Sequence, residues 1–262
     1  MLRFPLVPLL LVALAFPVGA QSLLHPAYTF TAETFAPVAA ALPEPYRTAV
    51  LADPKAFLAD YKPLLSKPND LLVLVDKKNE LPGEYEPDDL VTLKAPAVVV
   101  NKGGMKFRKA YLPALIAMIS AAKKQGLTLQ VSSAYRSWVY QKNTFQMYAN
   151  RDGLATAERY SARPGRSQHQ LGTVIDFGSV EPSFADTKEG QWLDAHAEQF
   201  GFSMSYPKDQ EALTGYVFEP WHFRYIGVEA CAVQKKWFGD LQQLLTEFHA
   251  SQGAVLKAAL RK

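Results

Sequence analysis

Two short stretches of this 262-residue chain set ionisable groups among apolar neighbours, and they restrict the fold more than any other feature. In Thr173-Val174-Ile175-Asp176-Phe177 a carboxylate stands on what reads as a short strand. In Phe218-Glu219-Pro220-Trp221-His222-Phe223 a carboxylate and an imidazole are interleaved with aromatic rings. A buried carboxylate is costly unless a cation or hydrogen-bond donors meet it. An arginine could meet Asp176, and so could a metal ion; the residues alone leave both open.

The histidines narrow the choice. His169 lies seven residues before Asp176, in Ser167-Gln168-His169-Gln170-Leu171-Gly172. On a regular strand residues 219 and 222 would face opposite sides, but Pro220 predicts a bend that turns both toward one point. His169, Asp176 and His222 then offer three zinc-type ligands, with Glu219 a spare carboxylate, and three protein ligands leave a fourth position for water. Such a set acidifies bound water toward ~7. A carboxylate held off the metal could take the water's proton and return it to a leaving amine. Charge developing on a substrate oxygen needs a further cation, which the Tyr135-Arg136-Ser137 turn is placed to supply. His25, His196 and His249 read as solvated side chains.

Cys231 is the only cysteine, so the chain has no internal disulfide and no thiolate metal site. Its alanine and valine neighbours suggest a buried, inert thiol. Lys and Arg number 28 against 25 Asp and Glu, a net +3 spread too evenly to argue for nucleic acid. Met1-Leu2-Arg3, an apolar run to Phe16 and Val18-Gly19-Ala20 read as a signal peptide over residues 1–20, which implies export to a periplasm or the medium. No later stretch approaches the ~20 apolar residues of a spanning helix.

Residues 21–70 are rich in Pro and Ala and read as an N-terminal extension with short helices near 45–52 and 54–65. From residue 71 the pattern tightens into a unit running to 262. Residues 71–75 read as a strand leading to a turn. Leu112, Leu115, Ile116 and Ile119 recur at helical spacing, which predicts a helix over 108–125 stopped by Gly126. A strand over 127–131 follows. Ser137 is a candidate cap for a helix to about residue 150. Further expectations are a strand at 173–177, a helix at 191–200 closed by Gly201, β structure at 216–225, and one or two helices over 233–260. Helices and short strands without βαβ alternation predict an α+β fold: a small antiparallel sheet carrying the metal site, packed with helices.

The motifs resemble a known family. Ser167-x-His169-x-x-Gly172-x-x-x-Asp176, then Glu219-x-Trp221-His222, is similar to the VanY-like D-alanyl-D-alanine carboxypeptidases. These belong to a zinc superfamily with the lysostaphin-type endopeptidases and the hedgehog signalling domain. The segments Ser133-Ala134-Tyr135-Arg136-Ser137 with Gln141, Ser161-Ala162-Arg163-Pro164-Gly165, and Leu81-Pro82-x-x-Tyr85-x-Pro87-x-Asp89-Leu90 extend the resemblance over about residues 71–228.

The resemblance implies Zn²⁺ on His169, Asp176 and His222, with Glu219 as general base. Arg136 would stabilise the transition state or hold a substrate carboxylate. Ser167, Gln141 and Arg163 would line the substrate site, with Trp221 a pocket wall. The implied substrate is a peptidoglycan stem peptide, handled by a monomer that releases the terminal D-alanine. An L,D-carboxypeptidase or an endopeptidase would use the same site, and a non-catalytic cell-wall module would be free to lose Glu219. One departure is Val174, where the family usually carries alanine; its bulk could narrow a pocket.

Overall fold

The computed structural model describes residues 22–68 and 70–261. The signal-peptide stretch 1–20 lies outside the described residues. Among the described residues ten α-helices run in chain order as α1 (Ala32–Ala39), α2 (Tyr46–Ala52), α3 (Pro54–Tyr61), α4 (Leu112–Lys124), α5 (Trp138–Asp152), α6 (Leu154–Tyr160), α7 (Lys188–His196), α8 (Glu211–Thr214), α9 (Val228–Trp237) and α10 (Gln242–Ala258). Six strands are interspersed: β1 (Leu90–Thr92), β2 (Lys106–Arg108), β3 (Val131–Ser133), β4 (Val174–Phe177), β5 (Phe202–Met204) and β6 (His222–Tyr225). β1 and β2 pair with each other, and the rest form an antiparallel sheet in the order β3-β4-β6-β5.

The fold class is the expected α+β, with a small antiparallel sheet. Local chemistry explains its principal elements. Ser137 caps α5 by accepting the Tyr140 N–H, and α4 ends two residues before Gly126, which adopts φ +78°. Asp53 caps α3, whose first residue is Pro54, a ring pre-set for a first helical turn.

Two expectations change. Residues 71–75 form no strand; the carbonyls of Leu71 and Val73 accept hydrogen bonds from Nη2 of buried Arg224 instead of from a neighbouring strand. The strand expected over 127–131 starts only at Val131, because Leu127 is still tied to Ala122 at the end of α4.

Two large hydrophobic cores dominate the described residues. One packs the sheet against α4 and α7, with Leu115, Ile119, Ile175, Phe177, Leu193 and Phe223 at its centre. The other joins the two ends of the chain. Phe35, Phe57 and Tyr61 from the first helices meet Trp237, Phe238, Leu245 and Phe248 from α9 and α10. An isolated antiparallel bridge between Tyr28 and Leu260 closes this terminal bundle. His249 is half-buried there against Tyr61, with its Nδ1 2.9 Å from the phenol oxygen, rather than solvated as expected. Cys231 is buried in the same core, where desolvation raises its thiol pKa.

Among the described residues no helix is long and apolar enough to cross a membrane.

Candidate metal centre

Register builds the centre. Asp176 on β4 stands directly opposite His222 on β6, and opposed residues of an antiparallel pair share one face of the sheet. A slip of one residue would turn Asp176 to the other face. His169 arrives from the 3-10 turn Gln168–Leu171, whose cap Ser167 accepts the His169 N–H at 3.3 Å. Gly172 ends that turn at φ +70°, where an added Cβ would stand 2.9 Å from Leu90, so glycine is required. Between the strands, Glu219-Pro220-Trp221-His222 forms a turn in which the His222 N–H donates to the Glu219 carbonyl at 3.1 Å. Proline suits the second position of such a turn, and the bend brings both side chains to one point.

Ligand-type atoms of His169, Asp176 and His222 lie within 4.8 Å of one another, and all three residues are buried. His169 Nδ1 is 2.6 Å from the Ala134 carbonyl, so that nitrogen carries the proton and Nε2 presents a lone pair. Nε2 faces Asp176 Oδ2 at 3.1 Å. His222 Nδ1 lies 3.3 Å from Asp176 Oδ1 and 3.3 Å from Glu219 Oε2.

Burial, helped by the charge of Arg136, lowers the His169 pKa to about 4, so its ring is neutral. Burial also opposes charge on His222, but hydrogen bonds to Asp176 and Glu219 outweigh it and raise its pKa. Burial works against ionised Asp176 too, yet the flanking histidines hold its carboxyl well below the usual range.

A neutral Nε2 lone pair set against a carboxylate is repulsive unless a cation stands between them. That apposition is the fit test for a metal, and the residues meet it. The fourth residue has a different environment. Burial raises the Glu219 pKa above its ordinary value, the tuning expected of a group that exchanges protons near neutrality.

The centre opens on a cleft of about 840 Å³. Arg136, Ser167 and Trp221 line it beside the metal-type residues and Glu219. Arg136 points its Nη2 toward Asp176 Oδ2 at 4.0 Å, while its buried Nε has no partner. Two residues singled out from the sequence stand elsewhere. Gln141 is buried behind the wall, donating to the Ala162 carbonyl at 2.6 Å, with its Oε1 unpartnered. Arg163 is paired with Glu158 and stacked over Phe145, and it does not line the cleft. Val174 is fully buried opposite Arg224 on β6 and is likewise absent from the lining.

Sequence reasoning does not point to several other lining residues, and one of them touches the centre. Tyr206, just beyond β5, packs its ring 4.8 Å from that of His222 and 4.8 Å from that of Tyr216.

Fold and site thus define an α+β protein with a ready-made three-ligand metal centre in a cleft. Residues 104–228 match the family profile of VanY, described as D-alanyl-D-alanine carboxypeptidase. A putative carboxypeptidase of Bacillus subtilis, YodJ, is 38% identical over 176 residues, 64% of this chain and 64% of that protein. The chain therefore spans just under two thirds of the length of that curated relative. Among solved structures, the LdcB LD-carboxypeptidase is 36% identical with a TM-score of 0.60, covering 69% of this chain and 86% of that one. The vancomycin-resistance D,D-pentapeptidase VanY from a VanB-type cassette, solved with Zn(II), is 28% identical with a TM-score of 0.57, covering 68% and 99%. The chain belongs to the VanY family of D-alanyl-D-alanine carboxypeptidases.

Proposed function

We propose that this chain is a zinc-dependent carboxypeptidase that removes the C-terminal D-alanine from peptidoglycan stem peptides. The observation that carries this reading is the buried His169, Asp176 and His222 cluster, with Glu219 at its edge, opening on the cleft. Zn²⁺ held by those three residues would polarise the attacking water and the scissile carbonyl. Glu219, raised in pKa and unable to leave its turn, takes the proton of the attacking water and passes it to the departing amine. Arg136, which lines the cleft beside Asp176, meets either the developing negative charge or the substrate's free carboxylate.

Ser167 and Trp221 line the terminal residue's seat. Gln141 supports that seat from behind Ala162, and Arg163 would have to leave Glu158 to touch substrate. We read residues 71–262 as the catalytic unit and 21–70 as an extension packed against its last two helices. The protein acts outside the cytoplasm, periplasmic or secreted, as a monomer, after loss of residues 1–20.

One observation favours a second specificity. The LdcB LD-carboxypeptidase is more similar in sequence than the VanY pentapeptidase, at 36% against 28% identity. A single experiment tests both. Purified protein is assayed for bound zinc, then for D-alanine released from a stem pentapeptide and from a tetrapeptide. The proposal expects one zinc per chain and release from the pentapeptide. Release from the tetrapeptide alone would assign L,D specificity, and no release from either would reject the carboxypeptidase reading.

A further inference from the structure

The cleft is longer than a terminal dipeptide needs. α5 leaves the metal centre at Ser137, and one of its faces forms a wall of the cleft over three turns: Tyr140, Thr144, Met147, Tyr148 and Arg151. Their spacing of four, three, one and three residues keeps them on a single stripe. At the outer edge of this stripe Tyr140 is 49% and Met147 53% exposed. The α5 wall from Tyr140 to Arg151 measures about 16 Å at ~1.5 Å per residue. An extended peptide advances ~3.3–3.6 Å per residue, so between four and five residues fit along that wall.

The charges on the wall are unequal. Arg151 is forked onto Asp152 with Nε–Oδ1 and Nη2–Oδ2 contacts of 2.8 and 2.7 Å, and its charge is spent there. Lys102 also lines the cleft, and its Nζ rests 3.3 Å from the Tyr140 hydroxyl and 5.7 Å from that ring's centre. Among the described residues it has no carboxylate partner. The aromatic rings and the Met147 thioether offer flat apolar contact to a backbone, and Lys102 offers a cation beside them.

We propose that this stripe of α5, with Lys102, is the binding groove for the peptide on the N-terminal side of the scissile bond. It takes about four residues in extended form and sets a carboxylate-bearing side chain against Lys102. The inference rests on the carboxypeptidase reading for the direction of the chain, whose C-terminus faces Arg136. It separates this protein from one built for free dipeptides, for which the α5 stripe would have no use.

The test compares two ligands on zinc-loaded protein: a stem pentapeptide and the dipeptide D-Ala-D-Ala. In Glu219→Ala protein, calorimetry should find the pentapeptide bound at least about tenfold more tightly than the dipeptide. Tyr140→Ala, Met147→Glu and Lys102→Glu, introduced singly into that background, should each shrink the ratio severalfold while the melting temperature holds. In protein with Glu219 intact, the same substitutions should lower the pentapeptide-to-dipeptide ratio of kcat/KM through KM, with kcat little changed.

Equal affinity for both ligands, or ratios that the three substitutions leave alone, would overturn the groove. The two readings fail separately. Turnover with no length preference rejects the groove and keeps the carboxypeptidase. A length preference in binding without any release of D-alanine keeps the groove and rejects the hydrolase.

Discussion

At the scale of single residues, the centre assigns different work to chemically similar groups. Asp176 is held ionised between two imidazoles, whereas Glu219 is pushed toward its protonated form by burial. Replacing Glu219 by Ala should keep metal content near wild type while lowering kcat by ~10²–10⁴-fold, as loss of a general base does. Metal analysis beside steady-state kinetics checks this, and loss of zinc would make Glu219 a ligand instead. Asp176→Ala should lose the metal itself, because it removes one of the three ligand-type groups and the only carboxylate among them. A chelator should inactivate wild-type protein and zinc restore it, while a β-lactam should leave turnover unaffected, since no serine is acylated.

Much of this centre is legible in the sequence. Asp176 and His222 betray themselves because polar groups inside Val-Ile-x-Phe and Trp-x-Phe contexts demand partners. Tyr206 is not legible, since its place against His222 depends on how the segment after β5 turns back toward β6. Arg163 shows what a motif alone leaves out. A matching motif brought it forward, yet Glu158, five residues earlier, occupies it.

At the scale of elements, a buried polar layer backs the sheet. Ser205 donates to Gln168 Oε1 at 2.8 Å, and its hydroxyl also lies 3.2 Å from Gln242 Oε1 on α10. Two residues earlier, on β5, Ser203 donates to Gln234 Oε1 on α9 at 2.9 Å. Gln168 directly precedes His169, so α10 reaches the metal-ligand turn through the Ser205 hydroxyl that Gln168 and Gln242 share. Gln242→Met, a change of similar shape, should cost about 1–3 kcal/mol by leaving the Ser203 carbonyl short of a partner. It should also weaken zinc binding, read by chelator competition.

Near the same helices, burial raises the Glu198 pKa to about 7, with Asp240 adding to the effect and Lys235 opposing it. The folded state then holds a proton that the unfolded chain releases near its ordinary carboxyl pKa, so stability falls as pH rises between that value and about 7. Glu198→Gln should therefore raise the melting temperature at pH 8 and have little effect at pH 5.

These polar contacts explain why some elements resisted reading. Residues 71–75 have the apolar run of a strand, but their carbonyls are taken by Arg224, some 150 residues away in sequence. Nothing local announces such a partner. β1, β2 and β5 are three residues each, too short for alternation to declare itself. α4 and α5 were legible because thirteen and fifteen residues give the helical period room, and each carries a stop or cap.

At the scale of the whole molecule, the family profile covers residues 104–228, yet a hydrophobic core lies outside it at both chain ends. Phe57 is fully buried at the heart of that core, ringed by Phe35, Tyr61, Trp237, Phe238 and Phe248. Phe57→Ala should destabilise by ~3–5 kcal/mol, the range for a buried aromatic truncated to a methyl group. Because α10 also supports the metal-ligand turn, the destabilised protein should lose zinc in the same denaturant range in which its terminal helices melt. Separate transitions for the two events would show that the terminal bundle folds independently of the catalytic sheet.

The hydrogen bond from His169 to the Ala134 carbonyl has a stoichiometric consequence. That ring is already neutral in the metal-free protein and carries its single proton on the nitrogen that faces away from the metal. Asp176 is already ionised. Of the three ligands, His222 is the one whose pKa is raised, by its hydrogen bonds to Asp176 and Glu219. Zinc uptake should therefore displace a proton from His222 and none from His169. Titrations in buffers of different ionisation enthalpy would count it directly.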